Sequence, residues 1–179
     1  MNPGKTVLDN VESGNSLLSL CCGVGFELRD ATMGSLADIE LTGVDIVPEY
    51  IEVFVQRFPH AKTVVSDVVK YITRLPDKSF DVISVIDGIE HLTKKDGLKL
   101  VKQMKRVVKK QILLFTPDGF IRNEPHSAWG IEIGNEHQVH KSGWTQDELE
   151  KLGFTLLESA DDISQHGEPY KALMMSWTP

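Results

Sequence analysis

The run Leu17-Leu18-Ser19-Leu20-Cys21-Cys22-Gly23-Val24-Gly25 limits what this chain can become more than any other stretch. An apolar run without strict alternation suits a strand covered on both faces. It ends in Gly-x-Gly, where missing side chains permit a tight turn and let a ligand approach the backbone. The rest of the sequence repeats this strand-then-helix plan. Strands are expected at Ser16–Leu20, Ile39–Asp45, Lys62–Ser66, Phe80–Ile86, Gln111–Thr116, Thr155–Ala160 and Lys171–Trp177. One helical stripe starts at Pro48, carries Tyr50, Ile51, Val53, Phe54 and Phe58, and stops at Pro59. A second spans Asp96–Val108, and a shorter one is expected over Phe26–Met33. A further helix follows Thr145, with Glu148 completing a capping box and Gly153 supplying the left-handed stop.

Strand–helix alternation of this kind argues for an α/β fold with a doubly wound, mostly parallel seven-stranded sheet and right-handed crossovers. No helical pattern separates the last two strands, so they should form a C-terminal antiparallel hairpin. The 179 residues fit a single domain, 1–179. Pro117 to Ser142 (117–142) is rich in Gly, Pro, Asn and His and reads as a long substrate-side loop.

A net charge of −7 argues against a polyanion-binding surface, so nucleic acid is not an expected partner. The basic residues Lys94, Lys95, Lys99, Lys102, Lys105, Arg106, Lys109 and Lys110 read as the solvated face of a helix. Cys21 and Cys22 are adjacent and form no disulfide framework, which suits a reducing, cytoplasmic setting. No apolar run is long enough to cross a membrane, and the first residues lack the pattern of a secretory signal. Oligomeric state is left open by the sequence.

Three strand tips converge on one chemistry. Asp45 ends the second strand, twenty positions after Gly25, where a carboxylate can accept both ribose hydroxyls of an adenosine. Asp67 ends the third strand and can accept from an adenine amino group, with the Val68 N–H donating to the ring. On these residues the sequence resembles the class I S-adenosylmethionine-dependent methyltransferases. Leu75-Pro76-Asp77-Lys78-Ser79-Phe80-Asp81-Val82-Ile83 is similar to their entry into strand four, and Ile89-Glu90-His91-Leu92 to the segment just past it. Thr116-Pro117-Asp118-Gly119-Phe120, Gly143-Trp144-Thr145 and Gly153-Phe154 match later motifs, so the resemblance spans residues 14 to 178. It implies a Rossmann-like fold, a methyltransferase and S-adenosyl-L-methionine as cofactor. It implies further that Ser19, Cys21, Gly23, Gly25, Asp45, Ile46, Asp67, Val68, Ile86 and Asp87 hold that cofactor. Ser19 stands where the family often has an acidic residue, and Cys21 where it often has glycine.

Methyl transfer from a sulfonium needs alignment and exclusion of water more than it needs activation. A hydroxyl acceptor also benefits from a base. His91, His140 and Glu90 are the expected catalytic residues. With Asp87 they make two carboxylates and two imidazoles, a set able to bind Mg2+ or Mn2+ and polarise an acceptor. That set resembles metal-using relatives, the small-RNA 3′-end 2′-O-methyltransferases and the ubiquinone-pathway O-methyltransferases, although Asp87 is one methylene shorter than their usual Glu. A metal site, a direct histidine base and a purely positional role all stay open on the residues alone. His126 and His137 share the long loop as substrate-lining or solvated residues, while Asp161, Asp162 and His166 read as a solvated turn.

The expected activity is O-methylation of a small molecule or glycan, with Phe120 and Trp129 leaving room for an aromatic acceptor. Three other readings share the motifs. A metal-assisted 2′-O-methyltransferase of RNA ends is opposed by the acidic balance. An NAD-dependent oxidoreductase is opposed by Leu28 at the third glycine position. A non-enzymatic methyltransferase-like binding module is the third.

Overall fold

The computed structural model describes residues 1–25, 28, 38–123, 136–164 and 166–179. One seven-stranded sheet organises them: β1 Ser16–Leu20, β2 Glu40–Asp45, β3 Lys62–Val65, β4 Phe80–Ile86, β5 Val108–Pro117, β6 Thr155–Ile163 and β7 Pro169–Trp177. The spatial order is β3-β2-β1-β4-β5-β7-β6. β1 to β5 pair in parallel, and β7 runs antiparallel to both β5 and β6. This is the doubly wound sheet with a terminal hairpin that the sequence predicts. The order reverses beside β1, so the tips of β1 and β4 flank the crevice where such sheets bind ligands.

Both faces of the sheet are covered, which is why the central strands read as continuous apolar runs. On one face Leu18, Leu20, Ile83 and Val85 pack with Leu100, Val101 and Met104 of α4 (Lys94–Val107, named in chain order below) and with Trp144. On the other, Leu17, Val82 and Leu113 pack with Val7, Ile51 and Phe54. The helices are α1 Pro3–Asp9, α2 Pro48–Arg57, α3 Val68–Thr73, α4 and α5 Gln146–Lys151. Thr145 caps α5 in the predicted box, its hydroxyl accepting from Glu148 N–H while the Glu148 side chain returns to the Thr145 backbone.

α1 and α3 lie where no apolar stripe predicts a helix. With 7 and 6 residues they are too short to show a 3.6-residue period. Their starts are set by side chains instead: Asn2 accepts from Lys5 N–H ahead of Pro3, and Asp67 accepts from Lys70 N–H. The hairpin also extends beyond its expected ends, because Asp161 pairs with Lys171 and Asp162 with Tyr170 in a polar stretch that hydrophobic alternation does not mark. The helix expected over Phe26–Met33 lies outside the described residues.

Lys95, Lys99 and Lys102 of the basic stretch are exposed, as a solvated helix face should be, while other members tie neighbouring elements together. Arg106 donates to the carbonyls of Ile72 and Leu75 and to Asp77, Lys109 reaches Asp81, and Lys110 reaches Glu12. Among the described residues no helix is long and apolar enough to cross a membrane.

Candidate active site

The tips of β1 to β4 open into a cavity of about 230 Å³. Its floor is the Gly-x-Gly turn. Gly23 takes a left-handed φ of 51°, and Cys21 does the same at 54° without the freedom of a glycine. Room for Cys21 comes from Gly88, where an added Cβ would stand 2.7 Å from the Cys21 Cβ. The turn is tied to β2 by Asp45, whose Oδ2 accepts from Gly23 N–H at 2.8 Å and whose Oδ1 accepts from Val47 N–H at 3.0 Å. Burial raises the Asp45 carboxyl above its ordinary value, and the N–H donors and the nearby His137 oppose that rise. A carboxylate has about four lone-pair positions, so Asp45 keeps roughly two for a further partner.

Cys21, Gly23, Asp45, Ile46, Asp67, Val68 and Asp87 of the expected donor set all line this cavity. Asp67 spends one oxygen on capping α3, at 2.8 Å from Lys70 N. Three expected residues do not reach the wall. Ser19 is 2% exposed one residue before the end of β1, beside Ser84 of β4. Ile86 packs into the core. Gly25 serves packing instead: a Cβ there would stand 2.4 Å from the Phe58 ring and 3.0 Å from Phe54. Conversely, Leu92, Thr93, Asp96, His137, Gln138 and Lys141 line the cavity without having been expected as donor residues. Thr93 and Asp96 carry a readable signal, the cap of α4, in which Thr93 accepts from Asp96 N–H. Gln138 carries none.

A second cavity of about 270 Å³ adjoins the first and is walled by Asp87, Glu90, His91, His140, Asp162's partner Tyr170 and the start of the long loop. Here the sequence-predicted residues come together. Glu90, His91 and His140 each offer one ligand atom, and these atoms lie within 4.8 Å of one another. The two imidazole rings are 4.9 Å apart and nearly perpendicular. His140 Nδ1 sits 2.7 Å from the Ile121 carbonyl oxygen and His91 Nδ1 3.4 Å from that of Val139. A carbonyl can only accept, so both Nδ1 atoms act as donors, which puts the basic lone pair of each neutral ring on Nε2. Asp87 lines both cavities but is not part of this cluster of three.

Glu90 is 2% exposed and accepts from Thr116 Oγ1 at 3.0 Å. Burial, and then the Asp87 carboxylate, push its carboxyl up to about 8. Asp87 is pushed up to about 7 by the protein packed around it and by Asp162. Its side chain is open to water at the cavity mouth, which limits that rise. Asp162, read from sequence as part of a solvated turn, accepts from Tyr170 Oη at 3.2 Å. Burial and the carboxylates of Asp162, Asp87 and Glu90 raise the Tyr170 phenol.

The segment carrying His140 is fastened from below. The Glu90 carbonyl accepts from Lys141 N–H at 2.8 Å and Ser142 N–H at 3.1 Å. The Trp144 indole N–H donates to Ser142 Oγ at 3.0 Å, and Lys94 lies 3.8 Å over the ring.

A family model described as a methyltransferase domain matches residues 17–111, more than half of the chain. The chain belongs to the methyltransferase domain family. No curated protein matches it. Among solved structures it is similar to the YcgJ protein from Bacillus subtilis, at 14% identity and a TM-score of 0.69, covering 98% of this chain and 97% of that one. It is similar also to a SAM-dependent methyltransferase from Archaeoglobus fulgidus, at 18% identity and a TM-score of 0.67, covering 98% and 90%. A third likeness is to a phosphoethanolamine N-methyltransferase from Haemonchus contortus, at 17% identity and a TM-score of 0.65, covering 98% and 52%. At these identities the likeness is one of fold. This methyltransferase thus has the family and architecture that the sequence resemblance implies, that of the class I S-adenosylmethionine-dependent enzymes.

Proposed function

We propose that this methyltransferase binds S-adenosylmethionine in the cavity at the tips of β1 to β4 and methylates a hydroxyl of a small polar molecule or glycan held in the adjoining cavity. The observation that carries the reading is the side-by-side placement of the two cavities, one bounded by Gly23 and Asp45 and the other by Glu90, His91 and His140. The residues present fit the donor. The Asp45 carboxylate is already oriented by two backbone donors and retains acceptor capacity for a ribose diol. The left-handed Gly23 keeps side-chain bulk out of the floor. Asp67 keeps one carboxylate oxygen, and Val68 its position at the head of α3, for a purine edge. What such a donor supplies is a methyl group already activated on a positively charged sulfur, with a neutral leaving group.

Glu90, His91 and His140 would act on the acceptor. With Nδ1 tied to carbonyls, either imidazole can take a hydroxyl proton at Nε2. The same two nitrogens and the buried carboxylate are a donor set suited to a divalent cation. An ion held there would polarise the acceptor oxygen, and a set with two imidazoles favours Mn2+ over Mg2+.

Calorimetry with S-adenosylhomocysteine, repeated with Mn2+, Mg2+ and a chelator, tests both levels. Micromolar or tighter binding of S-adenosylhomocysteine is expected, together with a Mn2+ heat that His140→Ala abolishes. Absence of S-adenosylhomocysteine binding would overturn the donor reading. Binding of it without any Mn2+ heat would leave His91 and His140 as direct bases.

A further inference from the structure

We propose that Gln138 is a positioning residue of the transfer reaction, forming the partition between donor and acceptor cavities, and that the Tyr50 hydroxyl latches it there. The proposal rests on the donor reading above. The two cavities share three wall residues, Asp87, His91 and Gln138. The first two come from the segment just past β4, so Gln138 supplies the facing side of the passage from the far end of the long loop. A group crossing from one cavity to the other has to pass between them.

Gln138 is held from several directions. Its Nε2 donates to Tyr50 Oη at 3.3 Å, and its backbone carbonyl accepts from Asn123 Nδ2 at 2.8 Å. Three and four residues further on, the chain is pinned to the Glu90 carbonyl. Tyr50 makes a rigid post: it is 1% exposed on α2 and packs with Val24 of the glycine turn and Val47 beside Asp45. The bond therefore couples the loop to the elements that shape the donor floor.

The chemistry of the side chain suits the position. A residue lining the path of an electrophilic methyl must not itself be methylated. An amide nitrogen, its lone pair delocalised into the carbonyl, is a poor nucleophile and adds no competitor for the methyl group opposite Asp87 and His91. An amide also offers both a donor and an acceptor to the ligands on either side, and it narrows the passage to water.

The test is a double-mutant cycle on S-adenosylhomocysteine release, measured by stopped-flow in wild type, Tyr50→Phe, Gln138→Ala and the double variant, with thermal unfolding of each alongside. Tyr50→Phe keeps the packed ring, and Gln138 sits on a surface turn, so all four proteins should fold. Each single change should speed release about five-fold, the worth of one hydrogen bond. The double variant should be no faster than the singles, because both remove the same bond. Unchanged release in Tyr50→Phe, or strictly multiplicative effects in the double variant, would overturn the latch while leaving the donor reading intact. A wild-type protein that does not bind S-adenosylhomocysteine would overturn both.

Discussion

Glu90→Gln should make the protein more stable, and increasingly so as pH rises. Glu90 is 2% exposed, and its carboxyl is raised from an ordinary 4.5 to about 8, chiefly by burial and next by Asp87. Above pH 4.5 the unfolded chain releases this proton while the folded protein retains it until about 8. Across that window the unfolded state binds fewer protons, so stability falls as pH rises. One pH unit of difference is worth about 1.4 kcal/mol, which sets an upper bound of roughly 5 kcal/mol over the whole window. Part of the shift comes from Asp87, which is open to water, so about 2 kcal/mol is expected by pH 8.5. Glutamine has the same shape, can still accept from Thr116 Oγ1, and does not ionise. Urea unfolding at pH 5 and pH 8.5, with chelator present, reads the effect. The two proteins should differ little at pH 5, and the variant should lead by about 2 kcal/mol at pH 8.5. Parallel pH profiles would show that Glu90 is charged and satisfied in the folded state, and the reasoning would fail.

Two other substitutions separate binding from packing. Asp45→Asn should weaken S-adenosylhomocysteine by about 30-fold in calorimetry, because an amide oxygen cannot serve Gly23, Val47 and a ribose diol together; affinity within three-fold of wild type would place the ribose elsewhere. Gly25→Ala should cost about 2–3 kcal/mol in urea unfolding, since φ is 71° and the new Cβ would stand 2.4 Å from Phe58; a cost below about 0.5 kcal/mol would show that the turn simply relaxes.

Much of the fold was legible because β1, β4 and β5 are covered on both faces and therefore read as mostly apolar runs without strict alternation. The cap of α5 was legible too, since a capping box is a local pattern. What escaped was held by single side chains or by pairing over long distances. α1 and α3 start on the caps Asn2 and Asp67, and the polar end of the hairpin exists because Asp162 faces Tyr170. In the site, Glu90, His91 and His140 could be grouped from sequence because their residue types carry chemistry, and the fold brings them together. The packing of Gly25 escaped because a glycine required by the Phe54 and Phe58 rings reads the same as one required by a ligand. Ser19 was assigned from the family's pattern, and it is buried one residue before the end of β1. Gln138 had no mark at all, being an ordinary loop glutamine whose neighbours come from α2 and from residue 123.

The position of β7 between β5 and β6 bears on how the molecule matures. The parallel half, β1 to β5, is complete by Pro117, and with it the floor of the first cavity. The second cavity has to wait for Tyr170, which arrives only as β7 slots beside β5. On a ribosome that adds residues from the N-terminal end, the floor of the first cavity would be laid down before the wall of the second is complete.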